Sequence, residues 1–222
     1  MNHRKPVLLS WSGGKDSTLT LAALRDSPDW RVVGLLTTIT SDHDRISMHG
    51  VRTSLLHLQA AALGLPLRRV DIPVGATDSA YAERMGQALE IARSEGVAAV
   101  AFGDLFLRDV RRYREEMLAQ VGMSAIFPIW GAETSELART FIESGYRATI
   151  TCADTEQIPE NFAGRDFDLA MLGDLPDAAD PCGENGEFHT FVHTGPIFRR
   201  AVPCRRGERV LRDGRFMYQD LV

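Results

Sequence analysis

The sequence predicts a doubly wound, mostly parallel α/β sheet followed by a smaller mixed α+β domain, and three observations carry that expectation. Its first half alternates short apolar or β-branched runs with amphipathic segments. A glycine pair, Gly13-Gly14, stands where the first such run meets the first helix. Near the end, Asp213-Gly214 separates two strand-like runs. Alternation of the first kind marks βαβ units, whose strands are buried on both faces by helices. The dipeptide is a strong hairpin signal.

Each element follows from this pattern. Val7–Trp11 is short and apolar, as a buried parallel strand must be. Ser17–Leu24 reads as the helix after it, Val32–Ile39 as the second strand and Arg52–Leu63 as the next helix. Leu67–Ile72, Asp78–Arg93 and Ala98–Phe102 continue the strand, helix, strand order. Arg108–Gln120 is helical, residues 127–131 close a short strand, Thr134–Ser144 is helical and residues 146–152 form another strand. Residues 173–187 hold five acidic residues, three glycines and two prolines, which is loop chemistry. A boundary near residue 124 separates residues 1–124, the parallel α/β unit, from residues 125–222, a smaller unit closed by the hairpin.

At 222 residues, with 44% hydrophobic and 25% charged residues, the chain falls in the globular range. A net charge of -5 excludes bulk attraction to nucleic acid or an anionic membrane. Three widely spaced cysteines, Cys152, Cys182 and Cys204, make neither a disulfide framework nor a metal motif and fit a reducing compartment. No run approaches eighteen consecutive apolar residues, and the N-terminus turns polar before a signal-peptide core forms. The expectation is a cytoplasmic protein without a membrane partner.

The segment Ser12-Gly13-Gly14-Lys15-Asp16-Ser17 lies at the tip of the first strand, where an open α/β sheet takes its ligand. Glycines admit a close backbone approach, and the N–H groups and dipole of a helix start attract an anion. Lys15 adds a positive charge, Ser12 and Ser17 add hydroxyls, and Asp16 is a candidate metal ligand or helix cap. Together they describe a pyrophosphate cradle. It is not a Walker A loop, which would need glycine at Leu9 and Ser or Thr at Asp16. This SGGKDS segment resembles the loop of the PP-loop ATP pyrophosphatases, in the adenine nucleotide alpha-hydrolase superfamily. The resemblance implies a Rossmann-like sheet and attack of a substrate oxygen on the α-phosphorus of ATP. It also implies that Ser12 to Ser17 line the pyrophosphate with Mg2+ at Asp16, so that residues 1–124 would be the ATP pyrophosphatase domain.

Two later signals narrow the family. Gly103-Asp104 follow the apolar run 97–102, implying a second strand tip beside the nucleotide. In residues 182–192, CGENGEFHTFV, glycines flank Glu184, Glu187 and His189, three groups able to handle protons or ammonium. With RYREEM and the IW of FPIW, these segments in this order resemble the diphthine-ammonia ligase family, which completes diphthamide on elongation factor 2. That resemblance implies conversion of a carboxylate to an amide with ATP and ammonia through an acyl-adenylate. It places Glu184, Asn185, Glu187, His189 and Thr190, with Arg114 and Glu116, at the acceptor end of the site. Lys15, Asp16, Glu184, Glu187 and His189 are the expected catalytic set, and Gly103 and Asp104 join the ATP site. The sequence departs from diphthamide-making members at His189, where they tend to carry an acidic residue, and at the pair His49-Gly50. The acceptor therefore stays open.

The other arginines of 108–114 alternate with Asp109, Glu115 and Glu116 and read as a solvated, ion-paired face. His57 and His193 read as surface or packing residues. Seven arginines between Arg199 and Arg215, against two acidic residues, are a candidate patch for a protein or RNA partner. Expected partners are ATP, ammonia and a carboxylate-bearing acceptor, protein or small molecule, with a homo-oligomer as a further candidate. Two alternatives stand beside the ligase: a thiolation-type tRNA-modifying enzyme, for which Cys182 is the candidate thiol, and a non-catalytic adenine-nucleotide-binding regulator.

Overall fold

A computed structural model of the chain describes residues 4–40, 45–46 and 50–222. At its centre runs β1 (Lys5–Ser10), whose Val7, Leu8 and Leu9 are all fully buried. Burying each such side chain contributes roughly 1.5–3 kcal/mol. Successive side chains of a strand point to opposite faces, so Val7 and Leu9 enter the larger apolar cluster and Leu8 the smaller one. A strand of this kind needs cover on both sides.

The neighbouring strands supply the plane and the helices supply the cover. β2 (Trp30–Thr40) and β5 (Ala99–Ala101) flank β1 in parallel, with β4 (Leu67–Ile72) beyond β2 and β6 (Ser124–Ile126) beyond β5. β3 (Arg45–Ile46) adds a short antiparallel pairing to the end of β2. Helices α1 (Lys15–Asp26) and α2 (Thr53–Leu63) cover the Val7 and Leu9 face through Leu21, Leu24, Leu55 and Leu56. On the other face, α3 (Asp78–Ser94) and α4 (Arg108–Gln120) press Met85, Leu89, Ala92 and Leu118 onto Leu8. The parallel order β4-β2-β1-β5-β6 changes winding direction at β1. Ligands of open α/β sheets bind at such a switch point, beyond the strands' carboxyl ends.

The doubly wound expectation is borne out, and the helices expected from the sequence start and end within two residues of the observed ones. Residues 127–131 differ: they form the turn after β6, with Gly131 N–H donating to the Leu105 carbonyl at 2.8 Å. Pro128 has no N–H to extend a ladder, which favours the turn. The expected division at residue 124 falls at the first residue of β6, which stays in the parallel sheet.

The rest of the chain builds α5 (Thr134–Glu143), β7 (Arg147–Asp154), α6 (Leu169–Asp174), β8 (Phe188–Thr194), β9 (Arg206–Arg212) and β10 (Phe216–Leu221). Its strands form an antiparallel sheet in the order β8-β7-β10-β9. The expected hairpin is present, with positive φ at both Asp213 (53°) and Gly214 (64°), as a type I′ turn requires. The sequence signals neither α6 nor β8, and α6 takes Gly173 and Asp174 from the stretch that composition marks as loop. Phe141, Phe167, Phe188 and Phe191 belong to the same buried cluster as Val7 and Leu9. That shared core holds β8 against the tip of β1.

Candidate active site

The chain leaves β1 through Trp11, Ser12, Gly13 and Gly14 and enters α1. Gly13 turns at φ +81°, a left-handed value that glycine adopts without strain, and a Cβ there would lie 2.8 Å from Gln59 Oε1. A Cβ on Gly14 would stand 3.0 Å from the Thr190 carbonyl oxygen. The two serines shape the turn from inside: Ser12 Oγ accepts from Gly14 N–H at 3.3 Å, and Ser17 Oγ donates to the Gly14 carbonyl at 3.0 Å. Lys15 N–H donates to Thr190 Oγ1 at 3.1 Å, so β8 supplies part of the cap of α1.

Lys15 is only 3% exposed, and its Nζ donates to both Asp16 carboxylate oxygens at 2.9 Å and to the Cys182 carbonyl. The same Nζ lies 5.6 Å from the centre of the Phe188 ring. Burial works against this ammonium, but Asp16 and the other negative neighbours outweigh it and hold its pKa above the ordinary lysine value. Gly103 brings the tip of β5 against the start of α1, where a Cβ would stand 3.0 Å from the Asp16 carbonyl carbon. Its neighbour Asp104 accepts from Arg114 Nη2 at 3.0 Å, and Arg114 Nε approaches the second carboxylate oxygen at 2.8 Å without hydrogen-bond alignment. The guanidinium carbon lies 4.3 Å from the Phe102 ring centre, within cation–π range.

The acidic stretch folds into two turns with separate tasks. Glu184 Oε1 accepts from Leu105 N–H at 2.7 Å, tying this turn to the β5 tip. Burial pushes its carboxyl up to about 7; the Leu105 N–H opposes that shift, and the Asp16 charge adds to it. Glu187 is 1% exposed and both its oxygens are taken: Oε1 by Asp180 N–H and Asn185 Nδ2, Oε2 by Asn185 N–H. Exchanging Glu187 for glutamine puts an NH2 where a backbone N–H needs an acceptor, which costs about 1–3 kcal/mol. The expected result is a lower thermal midpoint for Glu187→Gln by calorimetry, and an unchanged midpoint would remove this loop-holding role. His189 and Thr190 lie on β8 rather than in the loop, because Phe188, Phe191 and Val192 are buried and draw the segment into the sheet. Burial, helped by the Lys15 charge, drives the His189 pKa down to about 4, so its ring is neutral at pH 7.

Beside the glycine turn, on the α3 and α4 side, lies a pocket of about 320 Å³. Ser10 and Ser12 reach it from the β1 tip, Thr37 and Thr38 from β2, Arg114 from α4 and His189 from β8, while Tyr81, Met85, Phe102 and Met117 supply apolar walls. Thr37 Oγ1 is buried there without a hydrogen-bond partner. An apolar cleft with few convergent polar groups is the usual form of a small-molecule site. An orphan hydroxyl in its wall fits a ligand that carries heteroatoms, as a nucleoside does.

Thus Ser12, Gly13, Gly14, Lys15, Asp16, Ser17, Gly103, Glu184 and Thr190 come together around the start of α1, and His189 and Arg114 meet in the pocket. Glu116 and Asn185 are exposed, and Glu116 does not line the pocket. His49 lies outside the described residues, whereas a Cβ on Gly50 would press to 2.6 Å from the Tyr218 ring. The sequence reading overlooks Gln59, Thr37 and the pocket's aromatic wall; only the position of Thr37 near the end of a predicted strand pointed to it. Among the described residues, no three His, Cys, Asp or Glu side chains are close enough to hold a metal. Asp16, held by Lys15 through both oxygens, is one carboxylate at the turn, a donor magnesium accepts when phosphates complete its coordination.

Other surfaces are less engaged. Cys182 Sγ donates to the Thr134 carbonyl at 3.3 Å, and burial pushes its thiol up to about 12. Burial likewise pushes Cys152 to about 11. Reactive thiols need the opposite shift. Of the arginine-rich tail, Arg206 pairs with Asp166, Arg215 with Asp154 and Glu156, and Arg209 bonds Gln219. Along α4, Arg111–Glu115 and Arg112–Asp109 are the expected surface pairs, and no described helix is long and apolar enough to cross a membrane.

Known proteins with related sequences match most of the chain. Family models match over residues 5–125, described as diphthamide synthase N-terminal domain, and over residues 133–219, described as diphthamide synthase C-terminal domain. A Danio rerio protein named diphthine–ammonia ligase is 27% identical over 222 residues, spanning 90% of this chain and 86% of its own length.

Proposed function

The chain belongs to the diphthamide synthase family, and from that premise we propose that it is an ATP-dependent ligase joining ammonia to a carboxylate-bearing acceptor. The observation that carries this reading is the meeting of the glycine turn with the acidic turn, where Lys15 grips both Asp16 and the Cys182 carbonyl. The parallel sheet supplies most of the ATP site, with Thr190 and His189 reaching it from β8, and residues 125–222 present the acceptor. The nucleoside occupies the pocket walled by Tyr81, Phe102 and Met117, with Thr37 Oγ1 as a polar contact. The phosphates run onto Gly13 and Gly14, at the positive end of α1. Asp16 would hold Mg2+ that arrives with the phosphates, and the ion would supply charge neutralisation there.

An acceptor oxygen then attacks the α-phosphorus, pyrophosphate leaves, and ammonia displaces AMP to give an amide. Ammonium must lose a proton before it attacks, and a base of pKa near the working pH does this best. Glu184, at about 7, suits that task. His189 is already neutral and serves as a hydrogen-bonding wall, while Glu187 keeps the turn in shape. The Arg114–Asp104 pair holds the pocket edge.

The test is product analysis with ATP, magnesium, ammonium and a carboxylate acceptor, starting with diphthine, named for the relative. AMP and pyrophosphate are the expected primary products. ADP and orthophosphate would overturn the assignment, and nucleotide binding with no release on any acceptor would favour the regulator. The thiolation alternative is disfavoured by Cys182, a buried thiol whose pKa burial raises.

A further inference from the structure

Gln59 is fully buried on α2, yet its amide bonds both the glycine turn and the strand that carries the proposed acceptor residues. Its Nε2 donates to the Gly13 carbonyl at 3.0 Å and to the Val192 carbonyl at 2.6 Å. Its Oε1 accepts from Trp11 Nε1 at 3.0 Å, which settles which way the amide faces. Val192 N–H donates back to the Gly13 carbonyl at 2.9 Å, so the Gly13 peptide is gripped from helix and strand together. The same amide oxygen fills the space a Gly13 Cβ would need, 2.8 Å away. All three polar contacts end on groups that shape the glycine turn or β8.

We propose that Gln59 is a positioning residue for the reaction: it sets the Gly13–Gly14 turn for the pyrophosphate and fixes β8 beside it, so that phosphate and acceptor ends are aligned by one buried amide. This rests on reading Gly13–Gly14 as the pyrophosphate cradle. The physical ground is that a loop peptide with φ near +81° has no ladder to hold it, and a misplacement of about 1 Å in a catalytic array costs on the order of a hundredfold. A purely structural amide would stabilise the fold without discriminating among ligands.

The experiment compares the parent with Gln59→Met, which keeps bulk but loses all three bonds, and Gln59→Glu, which keeps an acceptor for Trp11 but can donate to at most one of the two carbonyls, and only when protonated. Calorimetry with ATP·Mg and with AMP, thermal unfolding, and pyrophosphate release with kcat and KM separated are the readouts. Both variants should bind ATP at least about tenfold more weakly and lose kcat, while AMP affinity stays within about twofold. Equal losses for AMP and ATP, or unchanged ATP binding in a folded variant, would overturn the assignment. Hydrogen exchange on the parent covers variants that do not fold: ATP·Mg, but not AMP, should slow exchange of the amides of 190–194, and the absence of that difference also overturns it. A parent that binds no ATP would instead sink the ligase reading on which the inference stands.

Discussion

Lys15→Met should lower acceptor-dependent pyrophosphate release by roughly 100- to 1000-fold, the effect of removing one preorganised electrostatic donor from a reacting charge. Methionine preserves the bulk among Phe167 and Phe188 but not the ammonium that contacts Asp16 and the Cys182 carbonyl. Removing one partner of a buried pair costs about 3–5 kcal/mol. Asp16 is 29% exposed, so the low end applies. The double variant Lys15→Met with Asp16→Asn separates the two consequences. It should regain much of the thermal stability, since no carboxylate is left uncompensated, and should stay inactive. Calorimetry with ATP·Mg and a pyrophosphate assay decide the matter, and a double variant that turns over like the parent would mean the SGGKDS segment handles no phosphate.

The second large effect is expected at Glu184. If its carboxylate takes the proton from ammonium, Glu184→Gln should slow turnover about 100-fold or more while ATP binding survives. In the parent, activity should rise through about pH 7 as the carboxyl ionises, and the glutamine variant should lack that limb. Free ammonia must be held constant across the series, because it too rises with pH. Stability follows the opposite direction. A folded-state pKa above the ordinary value means the neutral form is favoured, so Glu184's contribution is complete below about 4.5 and is lost as pH rises through about 7. Glu184→Gln keeps an acceptor for Leu105 N–H and cannot ionise. Its thermal midpoint should therefore gain on the parent's between pH 5 and pH 8. A constant gap between the two midpoints would mean that Glu184 ionises as freely as in water, and the base assignment would fall with it.

These expectations draw on different depths of information. The parallel strands and the helices were legible because their signals are local: an apolar run such as Val7 to Leu9 needs two buried faces whatever surrounds it, and Asp213-Gly214 turns a hairpin by its own φ preferences. Glycines at 13 and 14 announce a close backbone approach in the same way. β8 carries no such signal, since Phe188 to Thr194 becomes a strand only when β7 and the tip of β1 are there to pair with and bury it.

By itself, then, the sequence determined the doubly wound sheet, the glycine turn at its strand tip and the acidic segment that resembles a ligase family. Tertiary structure alone decided how differently the two acidic residues are held. Glu184 and Glu187 are alike in sequence and three residues apart, yet one sits desolvated near Asp16 with its carboxyl at about 7, and the other spends both oxygens on its own turn. It also decided that Gln59 joins the glycine turn to β8. Hydrogen bonding and desolvation depend on atoms brought close from distant parts of the chain, 46 and 133 residues from Gln59 in these two bonds, and no local pattern of residues encodes that proximity.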